Sequence, residues 1–84
     1  MSKKTYNAVL SGTSDNNIRH SSFINLIINL RFLFVRQNGS HAVYHNADIR
    51  EFMNVQKDGS KAKAYQVEQL RKLIVKHGLK LNKD

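Results

Sequence analysis

The stretch FLFVRQNGSHAVYH, residues 32–45, decides the expected fold because it has the pattern of a β-hairpin. Aromatic and β-branched residues lie on both sides of Asn38-Gly39, and Asn-Gly is the pair that fits a two-residue type I′ turn, since both positions tolerate positive φ. With Asn38 and Gly39 as the whole loop, the sequence predicts antiparallel strands over residues 32–37 and 40–45.

The register of this hairpin sorts its side chains onto two faces. The face assigned to the helices is apolar throughout and holds Leu33, Val35, Ala42 and Tyr44. The other face has Arg36 directly across from His41 and also contains Phe34, Val43 and His45. We assign it to the outside of the fold, because an unpaired guanidinium and imidazole are costly to bury. His41 is therefore expected to be open to a ligand.

Two helices are predicted before the hairpin. An i, i+3, i+4 spacing of apolar residues indicates a short helix that ends near Gly12. Ser21 or Ser22 caps a second helix, which runs to about Leu30 and has only a narrow polar edge. Such a helix must be covered on two sides.

A strand and a helix are predicted after the hairpin. The strand covers residues 51–56, and a polar loop over residues 57–63 leads to a final helix over residues 64–77, which Gly78 ends. The buried stripe of this helix consists of Val67, Leu70, Leu73 and Ile74. The order α-(α)-β-β-β-α indicates an α+β protein with a three-stranded antiparallel sheet.

Composition limits the compartment and the partners. Eighty-four residues make one domain. Because the chain has no cysteine and no apolar run of membrane-spanning or signal-peptide length, we expect a reduced, cytoplasmic protein without a membrane partner. The formal charge is +8, with eight basic and two acidic residues from Lys57 to Lys83. This positive charge favours a polyanionic partner such as nucleic acid, although it equally favours an acidic protein.

Histidine chemistry is nearly sufficient for the cleavage of RNA. An imidazole, with an unperturbed pKa of about 6.5, both takes and gives a proton at cell pH. Once a base removes its proton, the 2′-hydroxyl of RNA attacks the adjacent phosphorus and cations stabilise the dianionic intermediate, so that no metal, cofactor or protein nucleophile is required. The candidates for the cationic role are Arg36, Lys57, Lys61 and Lys63. Lys61 and Lys63 lie at the start of the last helix, where free N–H groups favour a phosphate.

Simpler interpretations of the same residues stay open. A surface histidine without a task is a common alternative for His41, and it applies also to His20, His45 and His77. The lysines of residues 57–63 are equally typical of a solvated loop. The acidic residues form no metal-binding pattern. The last helix has mostly lysine rather than the Arg, Asn and Gln cluster that reads DNA bases, so a DNA-binding repressor is disfavoured.

Three segments together resemble the HicA family of toxins from type II toxin–antitoxin systems: SDNNI (14–18), RQNGSHAVY (36–44) and VQKDGSKAKAYQVEQLRKLIVKHGL (55–79). The resemblance implies an mRNA interferase, that is, an endoribonuclease that cleaves mRNA. It also implies a fold similar to the double-stranded-RNA-binding domain, with helices packed on one face of the sheet. Gly39-Ser40-His41 matches the hallmark of the family, whose histidine is associated with RNA cleavage, so the resemblance assigns catalysis to His41.

The resemblance also implies the partners and the extent of the domain. RNA contacts are expected from Arg36, Ser40, Lys57, Lys61 and Lys63. A HicB-type antitoxin is expected to mask the region of the histidine, and DNA binding falls to the antitoxin. The HicA-like domain covers residues 18–79, after an N-terminal extension (1–17) with a short helix and before a C-terminal tail (80–84). A non-catalytic double-stranded-RNA-binding module, or a degenerate toxin that acts only as an antitoxin partner, is the competing interpretation.

The chain departs from the family pattern at the end of the second helix. Family members commonly read Leu-Gly-Phe where this chain has Leu30-Arg31-Phe32. Glycine there lets a helix stop in the left-handed conformation, whereas arginine costs roughly 1 kcal/mol in the same backbone. Either the helix ends differently, or Arg31 is strained.

Overall fold

Three α-helices and four β-strands make up residues 2–81, the part of the chain that the computed structural model describes. The helices are α1 (Lys3–Ser11), α2 (His20–Asn29) and α3 (Ala64–His77), with a 3₁₀ turn at Asp15–Asn17. The strands are β1 (Leu33–Asn38), β2 (His41–Asn46), β3 (Glu51–Asp58) and β4 (Lys61–Ala62), and they form one antiparallel sheet in the order β1-β2-β3-β4. The fold is therefore α+β, as the sequence predicts, but with one strand more.

The fourth strand replaces the predicted polar loop over residues 57–63. Strand β3 continues to Asp58, which pairs with Lys61 across a turn in which Gly59 has φ of 66°. Ala62 follows, 3% exposed, and its N–H donates a hydrogen bond to the carbonyl oxygen of Ile18 at 2.9 Å. The loop prediction was wrong because Asp-Gly-Ser-Lys has the same turn chemistry as Asn-Gly-Ser-His in the first hairpin.

The turn of the first hairpin lies one residue later than predicted, so Gln37 and Arg36 pair with residues two positions further along β2 than expected. Asn38 pairs with His41, so the two-residue loop is Gly39-Ser40, and Asn38 belongs to β1. Gly39 has φ of 64°, whereas Ser40 does not have positive φ. A type I′ turn needs positive φ at both loop positions, so this turn is of the II′ kind, with glycine in its first position.

A bulge at Val35 changes the register again further along the hairpin. Arg36 pairs with Val43, and before the bulge Phe34 pairs with Tyr44. Leu33 pairs with His45. Directly opposed residues share a face, so Leu33 lies on the outer face and Phe34 on the helix side, the reverse of the prediction. The predicted faces of Leu33 and Phe34 were wrong because the prediction included no bulge, which shifts the register by one residue.

Strand β1 is an exposed edge strand. Every residue from Leu33 to Asn38 is exposed, including Val35, which the sequence analysis placed against the helices. Strand β2 alternates as predicted: Tyr44 is buried and Ala42 half-buried on the helix side, whereas His41 is exposed on the outer face. The prediction that His41 is accessible is therefore confirmed.

The core lies between the sheet and the three helices. The sheet contributes Tyr44, Met53 and Val55, and α3 contributes the predicted stripe, Val67, Leu70, Leu73 and Ile74. Helix α2 contributes Phe23, Leu26 and Ile27. Val9 of α1 is fully buried in the same core, so the predicted N-terminal extension packs against the rest of the fold. Leu79 and Leu81 also pack against the core, and residues 82–84 of the predicted tail lie outside the described residues.

Helix α2 begins earlier than predicted and lacks the predicted serine cap. Arg19 is its N-cap residue and makes no side-chain capping hydrogen bond. The backbone N–H of His20 instead donates to the carbonyl oxygen of Ser60 at 2.9 Å. The start of α2 is thus fixed by the β3–β4 turn, a tertiary contact that local capping patterns do not reveal.

Helix α2 ends with Arg31 in the left-handed conformation. Arg31 has φ of 76°, and its N–H donates to Ile28, while the N–H of Phe32 donates to Ile27. This is the Schellman arrangement, in which the left-handed residue is usually glycine. Buried Asn46 completes the end of the helix by donating from Nδ2 to the carbonyl oxygen of Leu30 at 2.9 Å. Arg31 is therefore strained, and the helix ends at Asn29 with Leu30 as its C-cap residue.

Candidate functional site

Both hairpin turns lie at one end of the sheet, which we call the turn end (residues 39–41 and 56–61). His41 opens β2 and pairs with Gln56, two residues before the end of β3. The loops Gly39-Ser40 and Gly59-Ser60 therefore lie at the same end of the sheet. The start of α2 is at the same end, since His20 bonds to Ser60.

His41 lies on the outer face of the sheet at this end. Its paired residue, Gln56, donates a hydrogen bond from Nε2 to the hydroxyl oxygen of Ser40 at 3.3 Å. The backbone N–H of Gln56 donates to Oε1 of buried Gln66 at 2.9 Å. The strand opposite the imidazole is thus held by α3. The sequence analysis assigned no role to Gln56 or Gln66, because their contacts join segments that are distant in the chain.

Arg36 is near His41 but not directly opposite it. It pairs with Val43, which lies two residues along β2 from His41. Arg36 and His41 are therefore diagonal neighbours on the outer face, and the Cα atoms of such a pair are about 7–8 Å apart. The predicted pairing was wrong because of the one-residue change in the turn. The guanidinium is on the predicted face, and its long side chain can reach a group bound at the imidazole.

The three lysines of the second hairpin are divided between the two faces. Lys61 pairs with Asp58 on the face of Gln56, and its Nζ donates to Oδ1 of Asn17 at 3.0 Å. Lys57 pairs with buried Ala62 and so lies on the helix side. Lys63 is the N-cap residue of α3 and is half-buried. The structure therefore brings Arg36 and Lys61, but not Lys57, to the face of His41.

Ser40 and His20 lie on the opposite side of the turn end from His41. Both line a cleft on the helix side of the sheet, together with Lys57. Partial burial lowers the pKa of His20, and the positive charge of Lys57 lowers it further. The sequence analysis treated His20 as a surface histidine, because nothing in its spacing connects it with residues 40 and 57.

The two remaining histidines have other surroundings. Nε2 of His77 lies 2.9 Å from Oε2 of Glu51, and Nζ of Lys76 lies 3.4 Å from the same oxygen. These contacts lower the pKa of Glu51, the hydrogen bond from His77 contributing most. His45 lies against the ring of Phe52, with ring centroids 4.4 Å apart. Neither histidine is at the turn end.

Apolar side chains continue the outer face away from the turn end. Leu33 is 70% exposed and Phe52 is 55% exposed, and His45 lies between them because it pairs with both. Val43 is half-buried on the same face. Together with edge strand β1, these residues form an exposed apolar surface beside the basic turn end.

We compared the chain with known proteins. No protein-family model matches it, and neither a curated protein nor a solved structure does. Within residues 2–81, none of the helices combines the length and the apolar character that a membrane span requires. The chemistry of the turn end is therefore the basis for a functional assignment.

Proposed function

We propose that this protein is the toxin of a type II toxin–antitoxin pair, a metal-independent endoribonuclease that cleaves mRNA and is neutralised by a HicB-type antitoxin. The observation that carries the proposal is the exposed imidazole of His41 on the outer face, with the Arg36 guanidinium diagonally across from it. His41 is the acid–base residue. The resemblance of residues 14–79 to HicA toxins supports the same residue.

The chemistry needs few groups. His41 removes the proton from a 2′-hydroxyl, whose oxygen then attacks the adjacent phosphorus and expels the 5′-oxygen of the next nucleotide. Arg36 stabilises the negative charge that develops on the phosphate oxygens, because a guanidinium can donate two parallel hydrogen bonds to them. Gln56, which is paired with His41, donates a hydrogen bond to the Ser40 hydroxyl and is itself held by Gln66.

The remaining cations hold the RNA backbone. Lys61 and Lys63 flank the start of α3, and the formal charge of +8 attracts a polyanion over longer range. Basic residues before the last helix, together with helices on one side of an antiparallel sheet, are consistent with a domain similar to the double-stranded-RNA-binding domain. The short strand β4 is an addition to the three strands expected for that fold.

The antitoxin is proposed to cover the outer face. Exposed Leu33 and Phe52 give a protein partner an apolar contact area, and the adjacent Arg36 favours an acidic partner. A HicB-type protein that covers this area also covers His41. RNA and antitoxin then compete for one surface, and the toxin is inactive while the complex persists.

Replacement of His41 tests the proposal. We expect His41→Ala to cleave a labelled mRNA about 10²–10⁴-fold more slowly than the wild type, because an acid–base residue contributes that much to the rate. The variant should keep its far-UV circular dichroism and its affinity for the antitoxin. His45→Ala is the matched control, since it removes an imidazole from the same face at Phe52. Undiminished cleavage by His41→Ala would eliminate the assignment.

A non-catalytic RNA-binding module is the second candidate. It is favoured by the surroundings of His41, whose ring makes no hydrogen bond with any other residue between 2 and 81. An acid–base histidine commonly has its second ring nitrogen oriented by such a bond. Salt-sensitive binding of mRNA that stays intact would support the module and reject the nuclease.

A further inference from the structure

A cleft of about 440 Å³ lies on the helix side of the turn end. Helix α2 forms one wall of the cleft, and the helix-facing side of β1, β2 and β3 forms the other. It opens beside the Gly39-Ser40 turn, on the side opposite to His41. The proposed cleavage reaction does not use this cleft.

The floor of the cleft is apolar. It consists of Ile24, Ala42, Tyr44 and Val55. Tyr44 is 8% exposed and packs its ring edge-on against Phe34, with centroids 5.7 Å apart. A floor that combines aliphatic groups with an aromatic ring suits a flat heteroaromatic group such as a nucleobase.

The rim of the cleft is polar and basic. Lys57 and His20 lie on it, together with Ser40, Asn25 and Gln37. The ammonium of Lys57 is close enough to His20 to disfavour a proton on the imidazole. An anion bound between the two groups removes this repulsion, because it attracts both cations.

Charge distinguishes this cleft from the cavity beside the 3₁₀ turn. None of the residues that line the cleft, all of which belong to the described range 2–81, is acidic. The cavity beside the 3₁₀ turn has Asp15 and Glu68 on its wall. The cleft at the turn end therefore admits a phosphate without carboxylate repulsion.

The cleft and His41 are adjacent along the chain. Ser40 lines the cleft, and the next residue carries the imidazole on the other face, with Cα atoms about 3.8 Å apart by covalent geometry. An RNA strand that passes around the hairpin turn can therefore contact both.

We propose that the cleft is a ribonucleotide subsite, in which the apolar floor takes a base of the RNA and Lys57, His20 and Ser40 take its phosphate. The inference rests on the proposed function, since it places the nucleotide next to the one that reacts at His41. It also assigns to the cleft a part in choosing the cleavage site, because a pocket that encloses a base distinguishes bases by shape and hydrogen bonding.

The test is a chemical-shift titration of the isotopically labelled full chain with each of the four ribonucleoside 5′-monophosphates. Inorganic phosphate and the unphosphorylated nucleosides are titrated in parallel. We expect at least one nucleotide to shift the His20 ring and Ala42 methyl resonances together and saturably. That nucleotide should bind more tightly than its nucleoside or inorganic phosphate, because only it contacts both floor and rim.

Two variants and two matched controls locate the binding. Lys57→Ala should weaken nucleotide binding by about tenfold, the usual effect of losing a charge-assisted contact to phosphate. Asn25→Glu should weaken it similarly, because it places a carboxylate at an exposed rim position. Lys72→Ala and Asn7→Glu make the same changes at exposed helical positions outside the cleft and should bind like the wild type.

Several outcomes would overturn the subsite. They are the absence of any nucleotide-induced shift at His20 and Ala42, equally tight binding of inorganic phosphate, or equal affinities of Lys57→Ala and Lys72→Ala. The titration does not involve cleavage, so it is read separately from the nuclease assay. If the wild type cleaves mRNA while His20 and Ala42 do not respond, only the subsite fails. If the wild type leaves mRNA intact, the proposed nuclease fails.

Discussion

The side-chain Oε1 of Gln66 accepts a hydrogen bond from the backbone N–H of Gln56 at 2.9 Å, and this contact joins helix α3 to the strand opposite His41. Gln66 is 1% exposed, although it lies in the first turn of a helix whose other polar residues are mostly on the surface. A buried amide is stable there because it satisfies a strand N–H at a point where β4 is not paired with β3.

Loss of this contact should destabilise the protein. Gln66→Leu keeps the volume of the side chain but leaves the Gln56 N–H without its acceptor, so we expect the free energy of unfolding to fall by about 1–3 kcal/mol. Equilibrium urea unfolding measures the change. Gln69→Leu is the control, since Gln69 is exposed on the same helix. Equal midpoints for the two variants would show that the hydrogen bond contributes little.

Arg31→Gly should stabilise the protein by about 1 kcal/mol, because φ of 76° is favourable for glycine and strained for arginine. The substitution also removes the ion pair with Asp48, 3.8 Å long and exposed, but such pairs contribute little. Thermal unfolding checks the prediction. Arg31→Ala loses the same ion pair without relieving the backbone and should not be stabilised. If the unfolding midpoint of Arg31→Gly is no higher than that of Arg31→Ala, the backbone at Arg31 is not strained.

The contacts of Glu51 with His77 and Lys76 should make the stability of the protein depend on pH in the acid range. Hydrogen bonding from His77, followed by contacts with Lys76, lowers the pKa of Glu51 below its ordinary value of 4.5. A carboxyl group with a lowered folded-state pKa stabilises the fold above its unfolded pKa, and this contribution is lost as pH falls through the folded-state value.

We therefore expect the wild type to lose stability as pH falls below 4.5, and Glu51→Gln to lose less over the same window. Urea midpoints measured at a series of pH values test this difference. Glu68→Gln changes an exposed residue that pairs with Lys72 at 3.7 Å and should follow the wild-type curve. If the urea midpoint of Glu51→Gln falls with pH as steeply as that of the wild type, the pH dependence of stability belongs to other groups.

Removal of a cation at the start of α3 should weaken RNA binding and make it less sensitive to salt. For Lys63→Ala, we expect the slope of log affinity against log salt to become shallower by about 0.7–0.9, the contribution of one phosphate contact. Filter binding of a labelled RNA at several salt concentrations measures it. Lys72→Ala removes an equal charge elsewhere on α3 and should leave the slope unchanged. Identical slopes for the two variants would remove Lys63 from the RNA surface.

Local sequence determined the presence of the three helices and the first three strands and the accessibility of His41. Hairpins, helix stops and alternation depend on neighbouring residues, so Gly39, Gly78 and the apolar stripe of α3 were sufficient to predict them. The second hairpin was also present in the sequence, in the Asp-Gly-Ser-Lys turn, although the strand after it is too short to have a recognisable alternation.

Only the tertiary structure decided which side chains meet at the turn end. The choice of Gly39-Ser40 as the loop set the partner of Arg36, and the bulge at Val35 shifted the register by one residue and so exchanged the faces of Leu33 and Phe34. Packing of α2 against the second turn brought His20 to Lys57, which lies on the side of the sheet away from His41. Residues far apart in the chain meet through packing, and no local pattern contains that information.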